Sequence, residues 1–198
     1  MDIEDIRDNY KNFDDYTIEN IAMKDANSLR PEVLKILKFE IQKRNLSPEI
    51  LNGIEIQNRK LTKDELSEYC SLIENSTCSI CSSENKKLNI SMIGEVVSII
   101  VISYYDKRIK VGCSECLNKL NTNAIIKSSL LGWWGFPWGP IYTIRSYIYN
   151  YGMRLNNTSD KPNGIFKEFV RGNVGFLETN KNNPKRISEF LNGINNAI

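Results

Sequence analysis

The sequence predicts an α+β chain: N-terminal helices, a small antiparallel sheet, a tryptophan-rich helical hairpin and a C-terminal helical tail. Three observations carry this. Residues 1–75 repeat apolar positions at helical spacing between cap and proline signals. From Cys78 to Val111, β-branched and aromatic residues take over. Between Ser128 and Thr143 no residue is charged, and all three tryptophans fall inside that stretch. These changes divide the chain into 1–75, 76–120, 121–155 and 156–198.

The helix signals come in order. Asp15 or Thr17 caps a first helix reaching about Ala26, and Pro31 opens a second to Arg44 with Val33, Leu34, Leu37 and Ile41 on one stripe. Ser47-Pro48 repeats the cap-plus-proline signal for a third. Thr62-Lys63-Asp64-Glu65 is a capping box, so a fourth runs to about Asn75 with Leu66, Tyr69, Cys70 and Ile73 inward. Residues 88–92, 96–105 and 108–111 predict three antiparallel strands, with Gly94 and Asp106-Lys107 at the turns. Helical spacing returns over 117–131 and from Pro140 to about Tyr151, the latter carrying Ile141, Ile144, Tyr147 and Ile148. Residues 156–160 read as a polar linker, before a short helix near 165–170 and a last one after Pro184. Asparagine clusters such as Asn156-Asn157 read as turn and surface residues.

At 198 residues, 41% apolar and 25% charged, the chain can hold one sizeable core or two small ones. Its net charge of +2 hides an asymmetry: residues 1–99 carry 13 Lys/Arg against 18 Asp/Glu, and residues 100–198 carry 13 against 6. The basic half can face phosphate on a nucleic acid or a lipid head group, or simply complement the acidic half. No histidine occurs anywhere. Ser-His-Asp and Cys-His catalysis and all His-containing metal sites are thereby excluded. Neither a phosphate-cradling glycine loop nor a G-x-S-x-G elbow is present. A non-enzymatic protein with no small-molecule substrate is therefore expected. Met1-Asp2-Ile3-Glu4-Asp5 lacks the basic and apolar regions of a signal peptide, so the expected setting is reducing and cytoplasmic.

In that setting Cys78-Ser79-Ile80-Cys81 and Cys113-Ser114-Glu115-Cys116 read as metal ligands rather than disulfides. Each Cys-x-x-Cys turn sets two sulfurs at bite distance, and two turns joined by a hairpin close a tetrahedral four-thiolate site. Such a site has no open coordination position, so the expected ion is structural Zn²⁺, with iron the alternative for the same ligands. Cys70 reads as a buried core thiol. The ligand set resembles that of the zinc-ribbon family over residues 76–120, which implies a four-cysteine ribbon sheet. Two features depart from the family. Thirty-one residues separate the pairs, more than the usual ~15–20, and Ser82 stands where a glycine often follows the first knuckle.

Lys127 and Arg145 bracket the uncharged stretch at equal distance from Phe136. A fold at Gly135-Phe136-Pro137 puts both charges at the open end of a hairpin and Trp133, Trp134, Phe136 and Trp138 at the closed end. Arms of about eight residues reach about 12 Å as helix, far short of the ~30 Å hydrocarbon layer. A re-entrant or interfacial seat is expected instead, with Lys127 and Arg145 snorkelling to head groups on the cytoplasmic side. The open alternatives are a partner-protein groove and a helical corner whose tryptophans pack internally in a soluble protein.

The run Gly132-Trp133-Trp134-Gly135-Phe136-Pro137-Trp138-Gly139-Pro140 after a Cys-x-x-Cys pair resembles a group of uncharacterised bacterial proteins carrying a GWWG-x-P-x-G-P hairpin. The resemblance extends loosely over 78–150 and implies a membrane-associated zinc-ribbon protein; it brings no activity with it. The expectation is thus a zinc-binding adaptor at a membrane surface. The alternative is a nucleic-acid-binding ribbon using Lys107, Arg108, Lys110 and Lys119 beside Tyr104 and Tyr105.

Overall fold

The computed structural model describes residues 2–99, 102–159 and 161–196. In chain order these form α1 (Ile3–Asn12), α2 (Asp15–Lys24), a 3₁₀ turn (Ala26–Ser28), α3 (Pro31–Lys43), α4 (Glu49–Gln57), α5 (Lys63–Glu74), β1 (Leu88–Ile99), β2 (Ile102–Cys113), α6 (Ser114–Leu131), α7 (Trp138–Asn157), α8 (Gly164–Gly172), α9 (Val174–Asn180) and α10 (Pro184–Asn196). The α+β class holds, with helix predominating. Two compact units emerge: Met1–Leu72 with Glu168–Ile187, and Ile73–Lys167 with Ser188–Ile198.

In the first unit, Ile6, Tyr10, Ile18, Ala22, Leu37, Ile41, Ile50 and Ile54 close one core. The Pro31 and Thr62–Glu65 signals act as the sequence predicts, while α2 is capped by Asp14 rather than by Asp15 or Thr17. Asp14 accepts from the Thr17 N–H at 2.8 Å; Pro31 stands in the first turn of α3. The Thr62 and Glu65 side chains cap each other's amides at 3.2 and 2.9 Å. Arg44 does what no periodicity could reveal. Its guanidinium donates to the carbonyls of Tyr10, Lys11 and Phe13 and to Asp15, while its Nε meets the buried Glu40 at 3.2 Å. The open C-terminus of α1 is thereby satisfied from α3. Two helices, α1 and α9, have no counterpart among the elements expected from periodicity.

Among its described residues the second unit has two strands, not three. β1 and β2 pair antiparallel without interruption from Leu88↔Cys113 to Ile99↔Ile102. Gly94 is therefore no turn: it faces Lys107 in mid-ladder. An added Cβ there would lie 3.0 Å from the Tyr105 ring and 3.3 Å from Tyr149, so the glycine makes room for two tyrosines. Asp106-Lys107 likewise continues the strand. The hairpin reverses instead between Ile99 and Ile102; Ile100 and Val101 lie outside the described residues.

Helices α6 and α7 cover β1, and the surface between them is polar. Asn121 and Ser128 of α6, and Thr143, Ser146 and Asn150 of α7, are all fully buried. Three of them, Ser128, Ser146 and Asn150, complete the outward-facing backbone of β1. Ser128 Oγ accepts from the Val96 N–H at 3.0 Å, Asn150 Oδ1 accepts from the Gly94 N–H at 3.2 Å, and Asn150 Nδ2 and Ser146 Oγ donate to the Gly94 carbonyl at 2.6 and 2.8 Å. A strand edge that would otherwise be open is thus capped by side chains. The asparagine reading needs correcting for the same reason. Asn157 is 2% exposed and donates to Asn118 Oδ1 at 3.1 Å, and α7 runs through 156–157, where a linker was expected.

Candidate metal centre and apolar end

The hairpin register decides where the cysteines go. Pairing Leu88 with Cys113 brings the end of β2 to the segment that follows the first cysteine pair. Cys78 to Cys81 form a turn. The Ser82 N–H donates to the Cys78 carbonyl at 2.7 Å, and the Cys78 N–H donates to the Ser83 carbonyl at 3.0 Å. Ser82 sits at φ 57°, the left-handed region where a glycine is ordinarily favoured. The position thus takes a conformation that a glycine would adopt freely, on a residue for which it is strained. Gly112 matters for space rather than angle: an added Cβ would meet Ile80 Cδ1 at 2.8 Å and Cys78 Sγ at 3.6 Å.

Sulfur atoms of Cys78, Cys81, Cys113 and Cys116 all lie within 4.8 Å of one another, and Cys81 Sγ is 3.8 Å from Cys113 Sγ. A regular tetrahedron of Zn–S bonds of ~2.3 Å has edges of about 3.8 Å. The donor set and its spacing therefore fit one tetrahedral thiophilic ion. Cys78 and Cys113 are buried, Cys116 is half-buried and Cys81 is exposed. The second pair is not a second hairpin knuckle. Cys113 ends β2 as the N-cap of α6, and Cys116 lies in its first turn. Loop, hairpin and helix start thus supply the ligands, where a ribbon would use two hairpin turns. Cys70 stands apart, buried in α5.

Electrostatics favour a cation here. Burial pushes the thiols of Cys113 and Cys116 up. For Cys78 burial also raises it, but the N–H groups of Cys113, Cys81 and Ile80 outweigh that and bring it to about 7. One of these is the Cys113 N–H, 3.4 Å from Cys78 Sγ. Four thiols this close together, three of them buried or half-buried, cannot all ionise without a positive charge between them, and a divalent ion supplies it while displacing their protons. The N-terminus of α6 adds its partial positive charge beside Cys113 and Cys116.

The first cysteine turn is braced by a residue that periodicity did not single out. Asn195, in the last turn of α10, accepts from the Val111 N–H at 2.8 Å and donates to the Val111 carbonyl at 2.7 Å, as a neighbouring strand would. Its Nδ2 also donates to Ser79 Oγ at 2.6 Å. One amide thus fastens the first cysteine turn to the end of β2.

At the opposite end of the sheet lies the tryptophan loop, residues 132–137 between α6 and α7. Ser98 Oγ donates to the Gly132 carbonyl at 2.7 Å, and Ser103 Oγ to the Gly135 carbonyl at 3.4 Å. The loop is therefore tied to the tip of the strand hairpin. Its glycines are there for closeness: a Cβ on Gly139 would sit 2.5 Å from the Gly132 carbonyl oxygen, and one on Gly132 2.5 Å from that of Ser128. Phe136-Pro137 is cis. With the backbone drawn in, the side chains go out. Trp134 is 70% and Phe136 82% exposed, with Trp133, Trp138, Leu130, Ile99 and Ile102 also exposed. Trp138 stacks on Tyr142 and Trp133 meets Tyr147 edge-on. The tryptophans thus touch their own loop and α7 but are not enclosed. Lys127 pairs with Glu95 at 2.5 Å, and Arg145 is exposed. No described helix is long and apolar enough to cross a membrane.

No family model, curated protein or solved structure matches the chain. The likeness to zinc ribbons therefore rests on the cysteine pairs alone.

Proposed function

We propose that the chain is a non-enzymatic, zinc-stabilised interaction protein that docks on the cytoplasmic face of a membrane through its tryptophan end. The observation that carries the reading is an inversion of polarity. Between α6, α7 and β1 the second unit buries Ser, Thr and Asn, while Trp133, Trp134, Phe136, Trp138 and the isoleucines of α7 turn outward, the arrangement helices adopt when their surroundings are lipid rather than water. An exposed aromatic cluster with cations behind it suits the head-group boundary. The zinc contributes by holding the far end of the same hairpin in register. Its charge balance places 11 Lys/Arg against 7 Asp/Glu in this unit, which favours an anionic leaflet.

Flotation of the metal-loaded full chain with phosphatidylcholine vesicles, with and without phosphatidylserine, tests this. The wild type is expected to float, more with the anionic lipid, and a Trp134→Ser, Phe136→Ser double variant to stay at the bottom with its metal content unchanged. Wild-type protein that ignores both vesicles refutes the reading. The nucleic-acid alternative draws less support from the geometry. Lys107 lies over the Tyr149 and Tyr105 rings, Arg108 pairs with Asp106, and Lys110 donates to the Asn195 carbonyl, leaving Lys119 alone of the four unengaged among the described residues.

A further inference from the structure

The four sulfurs of the metal centre are sheltered unequally. Cys78 and Cys113 are at most 1% exposed and Cys116 is half-buried, but Cys81 is exposed. The local chain sets this difference. Cys78 opens its turn against Gly112, where an added Cβ would lie 3.6 Å from its sulfur, and the turn then carries Cys81 outward beside the exposed Ser82. An electrophile arriving from water therefore meets Cys81 first. Holding an ion does not require such an opening, since four sheltered sulfurs would do that equally well.

Two groups stand ready beside the open sulfur. Cys113 Sγ is 3.8 Å from Cys81 Sγ, a separation from which the two can join as a disulfide after a small movement. The Lys86 ammonium, anchored at 2.6 Å on Glu115 in the first turn of α6, lies close enough for its charge to act on both sulfurs. The state of the sulfur matters as well. Free cysteine, with a pKa of ~8.5, is only about 3% thiolate at pH 7, whereas a sulfur engaged by a divalent ion is ionised throughout.

We propose that the centre is a thiol switch for hydroperoxides, in which Cys81 reacts first and Cys113 resolves it. The switch rests on the zinc-stabilised reading above. The Cys81 thiolate attacks the hydroxyl oxygen of the hydroperoxide and the O–O bond breaks, leaving a sulfenic acid on Cys81. The departing alkoxide, or hydroxide where the oxidant is hydrogen peroxide, takes a proton from the Lys86 ammonium, which water restores. The Cys113 thiolate then displaces hydroxide from that sulfenic acid to form a Cys81–Cys113 disulfide, and the hydroxide is protonated to water. Two thiolates have then lost two electrons, and the hydroperoxide has become an alcohol and water. With two of its four donors withdrawn, the site no longer closes around a tetrahedral ion and lets it go.

Hydrogen peroxide added to the zinc-loaded full chain, with a chromogenic chelator to report released zinc, tests the switch. Zinc should appear at least about tenfold faster than free cysteine is oxidised in the same buffer, because the ligand sulfur is fully thiolate, and should stay bound without peroxide. Peptide mapping should find the Cys81–Cys113 disulfide, and dimedone added during the reaction should mark Cys81. Reductant with zinc should restore the loaded protein. Lys86→Gln keeps all four sulfurs; it should load alike and release its zinc at least about threefold more slowly. Release no faster than the oxidation of free cysteine, or dimedone first on Cys78, Cys113 or Cys116, overturns the proposal. A disulfide from Cys81 to another ligand overturns the role of Cys113, and an unchanged rate in Lys86→Gln overturns that of Lys86. A chain that takes up no zinc removes the metal reading and the switch together, whereas a loaded chain that keeps its zinc under peroxide removes the switch alone.

Discussion

Replacing Asn150 by alanine tests whether the polar seam holds the second unit together. The Asn150 amide is fully buried and supplies the partner of the Gly94 N–H, a second donor to the Gly94 carbonyl, and bonds to the Ser146 carbonyl and hydroxyl. After truncation Ser146 Oγ still serves the Gly94 carbonyl at 2.8 Å, so the group left unsatisfied is the N–H. An orphaned buried donor costs about 1–3 kcal/mol, and the lost side-chain volume adds to it. Alanine's better helix propensity returns about 0.5 kcal/mol. The expected loss is therefore about 2–3 kcal/mol. Ser146→Ala leaves the Gly94 carbonyl its bond from Asn150 and should cost under about 1 kcal/mol. Urea unfolding followed by tryptophan fluorescence reads this unit alone, because all three tryptophans belong to it. Equal losses in the two variants, or a neutral Asn150→Ala, would refute the idea that the helices are fastened to β1 through main-chain hydrogen bonds.

Metal removal by a chelator is expected to lower the urea midpoint seen by tryptophan fluorescence, since a structural zinc contributes folding free energy on the order of 10 kcal/mol; an unchanged midpoint speaks against a structural ion. X-ray absorption on the loaded protein should show four sulfurs at about 2.3 Å and no light-atom ligand. Metal affinity should fall as pH falls, because thiols held up by burial at Cys113 and Cys116 must lose protons to bind; loading at fixed zinc across a pH series checks the sign. Ser82→Gly relieves the left-handed backbone at φ 57° and should stabilise the loaded protein by up to about 1 kcal/mol. In the first unit the Arg59 guanidinium, with the Thr62 amide and hydroxyl, holds the Glu65 carboxyl down to about 2. That cap is complete above the ordinary carboxylate range and is lost as pH drops towards 2, so the helicity of α5 should fall on acidification and should do so less in Glu65→Gln.

The cysteines were legible because their chemistry fixes their spacing: two matched pairs in a chain without histidine leave few other readings. In the first unit α3 and α5 were legible through local devices, Pro31 and the Thr62–Glu65 box, which act within four residues, whereas α1 and α9 were not. The strands were harder. Gly94 and Asp106-Lys107 look like turns, yet the glycine serves to admit Tyr105 and Tyr149, and the ladder runs through both. Asn157 was misread by composition, and Asn150 and Asn195 were not singled out at all. Nothing local distinguishes a surface asparagine from one whose partners, such as Gly94 or Val111, lie some fifty to eighty residues away in sequence.

The apolar period of α7 raises a sharper point. A stripe of Ile141, Ile144 and Ile148 is ordinarily the face that a helix buries. Here the opposite face is buried, because β1 offers α7 not an apolar surface but an open row of backbone N–H and C=O groups. Serine and asparagine satisfy that row, and leucine would not; glycine at 132 and 139 lets the helices come close enough to reach it. Once the inward face is committed to hydrogen bonding, apolar residues placed outward cannot be stabilising the isolated chain in water. An apolar surface covering them would account for that placement, and the vesicle experiment examines it.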